Sequence, residues 1–346
     1  MSAVDSLPHR CRIAIVGGGV AGLATAWALA EAGVRDVVVI ERSSTVASHA
    51  SGRNAAMCRA LAEDDAWTEL TARGAAWLVA PPAGFAARPL VDRRGAILLT
   101  RTPAPLLACA ARHDLRVAPI DADAVAARWP GVEVQHGGLW FPDDGCIDLA
   151  AVVGGYLDGA RRGGARIVVD AEVTAIQGAG RVVTTRGAID AEIVVAAAGP
   201  WVGELGALAG VEAAFVARKR HVFALTVEGG DAPILWNVDD DEWYVRPSPE
   251  GLWACAGDHT VSAPGDVAVD PAMVEVLRAR LPTALRDAAV ARSWACQRTF
   301  VDGAPPRIGW DAAVPWWFWV AGLGGHGITA SAEIGRRAAA ALASRL

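Results

Sequence analysis

The sequence predicts an α/β protein in which a dinucleotide-binding domain is interleaved with a second, α+β domain built on a mainly antiparallel sheet. Three observations carry this reading. The apolar run IAIVGGGVAG at residues 13–22 ends in Gly17-x-Gly19-x-x-Gly22, and the next run, VVVIER, places Glu41 nineteen residues beyond the third glycine. A second buried-strand pattern, Ile193 to Ala197, ends at Gly199 and returns the chain to the first domain. Residues 215–300 instead alternate apolar and polar positions in HVFALTV, EWYVRP and LWACAG, as antiparallel strands do.

Each residue of the first motif has a mechanical reason. Gly17 permits the tight turn after the strand, Gly19 lets the backbone approach a pyrophosphate, and Gly22 lets the helix pack closely on the sheet. The helix from Leu23 to Ala32 presents its unpaired N–H groups to the phosphates, and Gly33 is placed to end it. Glu41 can accept hydrogen bonds from ribose hydroxyls, which disfavours a 2′-phosphate and hence NADP. NAD and FAD stay open on these residues alone.

The elements follow in order. Ser44 to Met57 is small and polar and reads as a ligand-facing loop, followed by a helix through Glu69 to Trp77. From Pro81 to Trp140, Pro and Gly punctuation suggests short strands and departure from the first domain. A helix starting near Asp148 runs to about Arg162, with strands at Ile167 to Asp170 and Glu172 to Ile176. A helix spans about Asp270 to Leu281, between Pro271 and Pro282. Trp316, Trp317 and Trp319 read as a buried strand leading into a glycine loop and a final helix. The expected partition is therefore residues 10–80, 147–214 and 301–346 for the nucleotide domain, and 81–146 and 215–300 for the substrate domain.

Composition narrows the function classes. With 53% apolar residues among 346, the chain can bury a large core. A net charge of −6, with no basic run longer than Arg218-Lys219-Arg220, argues against a nucleic-acid partner. Six cysteines without a CxxC or metal-ligand spacing suggest neither a disulfide framework nor a metal site, and fit a reduced, cytoplasmic compartment. Arg10 and Arg12 before an apolar stretch look superficially like a signal peptide, but the glycine spacing favours the nucleotide fold, and no transmembrane segment is expected.

Five separated pieces, GGGVAGLATA, HASGRNAA, IVVAAAGPW, QRTFVDGAPPRIG and GLGGHGITASAEIG, together resemble the FAD-dependent D-amino-acid oxidase superfamily. Within it, PPAGF, EWYVRP and the Arg298 and GGHGI regions are most similar to D-amino-acid dehydrogenases of the D-arginine dehydrogenase type. The resemblance covers nearly the whole chain and implies a Rossmann-like FAD-binding domain with an extended flavin. It assigns the adenosine and pyrophosphate to Gly17, Gly19, Val20, Ala21, Gly22, Glu41 and Arg42, and the flavin-lining loop to Ser51, Gly52, Arg53 and Ala55. Val173 matches a position whose backbone meets the adenine, Gly199 lies near the pyrophosphate, Gly325, Gly327, Ile328 and Thr329 meet the pyrimidine end of the ring, and Trp201 and Gly324 are further cofactor-binding positions. Residues 301–320 contain no cysteine of the kind that carries a covalent flavin in some relatives, so noncovalent FAD is expected.

The resemblance also implies the catalytic set. Arg298 matches the carboxylate-binding arginine, Tyr244 a partner phenol and Arg220 a second arginine near that carboxylate, while the Gly325 carbonyl accepts from the substrate amine. His49 and His326 are further candidates because imidazole titrates near neutrality. The position matching an acidic contact to a substrate guanidinium reads Ala96, and other pocket positions read Met57, Leu235 and Asn237, which points to a neutral substrate side chain.

The expected activity is oxidation of a D-amino acid to its imine and then a 2-oxo acid and ammonia. A sarcosine- or glycine-oxidase-like oxidation of a secondary or cyclic amine, and a noncatalytic flavin-binding module, are the alternatives. The partner is a small amino acid or amine, and the electron acceptor, whether a quinone, another acceptor or oxygen, stays open.

Overall fold

The computed structural model describes residues 6–301 and 304–346. One sheet is organised by five parallel strands in the order Arg166–Val168, Val37–Ile40, Arg10–Val16, Gly187–Ala196 and Trp317–Ala321. The central three are the near-continuous apolar runs that a sheet covered on both faces requires. The long strand Gly187–Ala196 gives its first half to a hairpin of Val173–Gln177 and Arg181–Thr184, and its second half to Trp317–Ala321. Arg307–Trp310 closes that edge by antiparallel pairing.

Helix Val20–Glu31 lies on this sheet with nine of its residues buried, which its small alanines permit, and Gly33 at φ +78 follows its end. Helices Asp65–Val79, Leu149–Arg162 and Ser331–Ala343 join it in one core, where Phe85 meets Trp27, Trp77 and Tyr156 edge to face and Trp77 stacks on Tyr156. Trp317 and Trp319, both fully buried, fill the opposite face. Trp317 and Trp319 are therefore core, whereas Trp316 precedes the strand and is only partly buried.

The second sheet runs Val290–Val301, Phe215–Leu225, Gly251–Cys255, Trp243–Ser248, Ile234–Asn237, Ala96–Leu99, Gly138–Phe141, Ala118–Ile120. Every neighbour is antiparallel except Ile234–Asn237 against Ala96–Leu99. One face packs on helices Ala122–Arg128, Met273–Arg280 and Thr283–Arg286. A small third sheet joins Met57–Cys58, Gly145–Ile147 and Val91–Asp92.

The segment from Pro81 to Trp140 departs from the expectation of short strands alone. It contains helices Pro103–Arg112 and Ala122–Arg128. Pro103 opens the first, and Asp121 caps the second by accepting from the Ala124 N–H at 2.8 Å. Part of the punctuation, Pro103, marks a helix start, while short strands occupy other parts of the segment.

Candidate active site

A cavity of about 1150 Å³ opens at the carboxyl ends of the parallel strands and runs beneath the second sheet. In α/β sheets this edge is where ligands bind, because strand ends and helix N-termini converge there. Gly17, at φ +115, packs so tightly that a Cβ would collide with the Ala197 carbonyl. Gly19, Val20 and Ala21 line the cavity, whereas Gly22 sits behind them with its Cα against the Gly17 carbonyl. Gly22 thus has a packing part only.

Glu41 ends its strand with the carboxylate held by two backbone donors, Gly18 N–H and Ser43 N–H, both at 2.8 Å. Arg42 stacks its guanidinium 3.6 Å from the Trp201 ring centroid and reaches His49 Nε2 at 3.3 Å. Burial first, then the charges of Arg42 and Arg53, lower the His49 pKa, so the imidazole is neutral there. His49 was a candidate acid–base group; the structure places it with Arg42 and Trp201, apart from the polar cluster around Arg298. Ser51 accepts from the Val20 N–H at 2.9 Å, and Arg53 pairs with Asp266 at 2.6 Å. Ala55, Val173, Gly199, Gly324, Gly325, Gly327, Ile328 and Thr329 all line the cavity. Gly52 does not; it packs against the Ala47 carbonyl.

The other end of the cavity carries charge. Arg220, on Phe215–Leu225, donates to Glu242 Oε1 at 3.3 Å and lies 3.6 Å from Cys255 Sγ. Arg298, on Val290–Val301, donates to the Asp258 carbonyl at 3.3 Å and to His259 Nδ1 at 3.0 Å. Its Nε has no partner among the described residues, and its Nη1 lies beside Gly325. Burial, then the like charge of Arg220, push the Arg298 pKa from 12.5 down to about 10. Tyr244 is buried, and that burial raises its phenol well above the ordinary value, so it is neutral.

His326 Nε2 stands 2.5 Å from Glu63 Oε2, and Glu63 also meets Arg59 at 3.2 Å. Burial would raise the Glu63 carboxyl, but the hydrogen bond and charge of His326, with Arg59, hold it well below the ordinary range. The Arg59 guanidinium stacks 3.8 Å from the Trp236 ring centroid.

Three of the expected pocket residues are corrected. Leu235 and Asn237 point away from the cavity, because Trp236 is the residue registered opposite Tyr244 and shares its face. Leu235 lies in the core under the helices, and the Asn237 amide donates to the Asp241 carbonyl at 3.0 Å. Ala96 is buried with Leu61, Phe141 and Cys146, and Leu98, two residues on, reaches the cavity instead. Met57 does line the cavity. The wall around it adds Leu61, Trp67, Pro105, Leu106 and Val238. Sequence reading missed Glu242, His259, Arg59 and Glu63; of these only Glu242, two residues before Tyr244, carried a signal, through strand alternation. Asp302 and Gly303 of the QRTFVDGAPPRIG motif lie outside the described residues.

The parallel sheet, its glycine turn and the antiparallel roof define a two-layered dinucleotide-dependent oxidoreductase site. The chain belongs to the DAO family of FAD dependent oxidoreductases, whose family model matches residues 12–341. It is 30% identical over 330 residues to the sarcosine oxidase subunit beta of Rhizobium meliloti (strain 1021), a match covering 87% of this chain and 77% of that one. It is 26% identical over 279 residues to the mitochondrial dimethylglycine dehydrogenase of Homo sapiens, covering 73% of this chain and 31% of that protein. The chain thus corresponds to under a third of that relative's length. The fold is shared with L-proline dehydrogenase from P. horikoshii, at TM-score 0.87, 19% identity and coverage of 96% and 93%. It is shared also with glycine oxidase from Geobacillus kaustophilus, at TM-score 0.84, 23% identity and coverage of 97% and 95%.

The residues present fit FAD, the family's cofactor. Among the described residues, the Gly19 side faces open cavity with only Ser51 Oγ near and Ser48 Oγ is buried there without a partner, and Glu41 is oriented at the strand end. Among the described residues, no helix is long and apolar enough to cross a membrane.

Proposed function

We propose that the protein is an FAD-dependent dehydrogenase that oxidises the amine of a carboxylate-bearing substrate, in the first reading a D-amino acid with a neutral side chain. The observation that supports this is Arg298: a guanidinium in the cavity wall, hydrogen-bonded only to neutral acceptors, with no carboxylate partner among the described residues. Such a group is stabilised by an anion that arrives with the substrate. Bound FAD supplies the acceptor for the hydride leaving the substrate Cα.

The residues of this chain then have simple tasks. Arg298 anchors the carboxylate, Tyr244 offers a neutral phenol beside it, and the Gly325 carbonyl accepts from the amine, fixing which hydrogen faces the ring. Loss of Cα–H as hydride and of a proton from nitrogen leaves an imine, which water hydrolyses to the 2-oxo acid and ammonia. Leu61, Leu98, Pro105, Leu106, Trp236 and Val238 give the substrate side chain an apolar arm. Arg59 is already paired with Glu63, and the Asp239 carboxylate at the edge of the arm is engaged by Thr100 Oγ1 and the Arg101 N–H and lies 3.4 Å from His136 Nε2. Retention of FAD without a covalent link is supported by the absence of cysteine from residues 301–320, and a reduced, cytoplasmic setting by six free, buried cysteines.

A second reading is oxidation of an N-methylated or cyclic amino acid. It is favoured by the named activities of the relatives, sarcosine oxidase and dimethylglycine dehydrogenase. Anaerobic mixing of the flavin-loaded protein with D- and L-amino acids and N-methyl amino acids decides between them. Bleaching of the flavin by neutral D-amino acids supports the first reading, and bleaching only by secondary amines selects the second. A yellow protein that none of them reduces sinks both, and re-oxidation by air after bleaching would identify an oxidase.

A further inference from the structure

Arg220 and Arg298 stand together in the cavity wall, and among the described residues Glu242 is the carboxylate that hydrogen-bonds to this pair, through Arg220. Arg220 donates to Glu242 Oε1 at 3.3 Å, and the ring of His259 bridges Glu242 Oε2 at 3.0 Å to Arg298 Nη2 at 3.0 Å. An arginine can only donate, so His259 Nδ1 accepts, and the neutral ring must carry its proton on Nε2 and donate it to Glu242. Both Glu242 oxygens are thereby engaged.

We propose that His259 is a positioning residue that sorts these charges: by occupying Glu242 it keeps that carboxylate with Arg220 and leaves Arg298 to the carboxylate of the substrate. This rests on the reading of Arg298 as the carboxylate anchor. Without the His259 ring, Glu242 Oε2 and Arg298 Nη2 lose the group that bridges them, and an ion pair formed inside the protein would take the place of the one formed with substrate.

The loop that carries His259 is fixed for this task. Asp258 accepts from His221 N–H at 2.9 Å and from the His221 ring at 2.8 Å, and His221 Nε2 accepts from Asp270 N–H at 3.1 Å. Gln297, next to Arg298 in sequence, donates to Ser262 Oγ and the Ala263 carbonyl at 2.7 and 2.6 Å, and accepts from Gly265 N–H at 3.0 Å. The loop is held at both ends and its middle to the strand that presents Arg298. His259 itself stays 46% exposed on its side chain, so it is not placed there by core packing.

The test is calorimetric titration of the flavin-loaded enzyme with butyrate, which has the carboxylate but no amine to oxidise, using butyramide as the uncharged control. His259→Ala and His259→Phe are expected to weaken butyrate at least about 30-fold, the scale for losing a buried charge partner, with butyramide unaffected. His259→Gln, which can still donate to Glu242, is expected to stay within about threefold of the parent. Adding Glu242→Gln to His259→Ala is expected to restore butyrate binding. His259→Phe keeps the ring volume and carries the test if the alanine variant loses its flavin. Arg298→Met supplies the reference. If it loses butyrate while His259→Phe does not, the role of His259 is overturned alone; if Arg298→Met binds butyrate like the parent, the anchor reading falls and this inference with it.

Discussion

The two ends of the cavity are built by different means. At the cofactor end, recognition comes from the backbone: a glycine turn, helix N–H groups, and a glutamate whose carboxylate is itself held by two backbone donors. At the substrate end of the proposed reading it comes from side chains, Arg220, Glu242, His259, Arg298 and Tyr244, contributed by three strands and two loops. The first depends on chain geometry, so single atoms matter. The second depends on how charges pair, so substitutions there act on one another.

The sharpest way to break this comparison is Gly17→Ala. Its φ of +115 and the Ala197 carbonyl beside it leave a methyl no room, and neither can shift without moving a central strand. We expect loss of bound flavin and destabilisation of more than about 3 kcal/mol, read by flavin content and urea unfolding. A variant that keeps both would show that the turn tolerates a side chain.

Next in size, Arg298→Met should lower kcat/KM for a carboxylated substrate by about 2–5 kcal/mol, a factor of about 30 to several thousand, while the thermal midpoint stays near that of the parent. A large stability loss with unchanged kcat/KM would make Arg298 structural. Leu235→Ala and Trp236→Ala then test the strand face. The first should cost about 2–5 kcal/mol of stability without changing substrate order, and the second should alter substrate order.

Glu242 gives a pH-dependent prediction. Burial would raise its pKa, but the hydrogen bond from His259 and the charges of Arg220 and Arg298 lower it from 4.5 to about 2. A carboxyl whose folded value is depressed stabilises the fold fully above the unfolded value and progressively less as pH falls through the folded one. The stability difference between the parent and Glu242→Gln should therefore be constant above about pH 4.5 and shrink toward zero near pH 2. The smallest effect is expected for Asp266→Ala, whose partner Arg53 tethers the loop Ser44 to Met57 to the loop that carries His259. With side chains 31% and 69% exposed, that pair is worth under about 1 kcal/mol, and flavin affinity should fall only a few-fold.

The same contrast explains what the sequence revealed. Gly17, Gly19 and Glu41 are legible because a turn, a helix start and a strand end fix their spacing along one short stretch. The long strand Phe215–Leu225 and its neighbour Trp243–Ser248 fall where antiparallel strands are expected, although their buried runs are continuous and do not alternate. The pocket residues were not legible, because choosing between Leu235 and Trp236 needs the register against Tyr244, and a shift by one residue exchanges the faces. Glu63 and His326, 263 residues apart, meet only after folding. Helix Pro103–Arg112 was hidden by prolines that open it.

The parallel sheet has a consequence for the order in which the protein can be made. Its first strand, Arg10–Val16, is flanked by Val37–Ile40 and by Gly187–Ala196, and that long strand needs Trp317–Ala321 on its other side. A chain emerging from the ribosome therefore exposes its nucleotide turn early, yet cannot close the sheet behind it until nearly three hundred further residues have appeared. Strands of such sequence separation form slowly and leave apolar edges open meanwhile. A nascent chain arrested before residue 317 should accordingly be protease-sensitive throughout its first domain and unable to retain flavin, and release of the last strand and helix should confer both properties together.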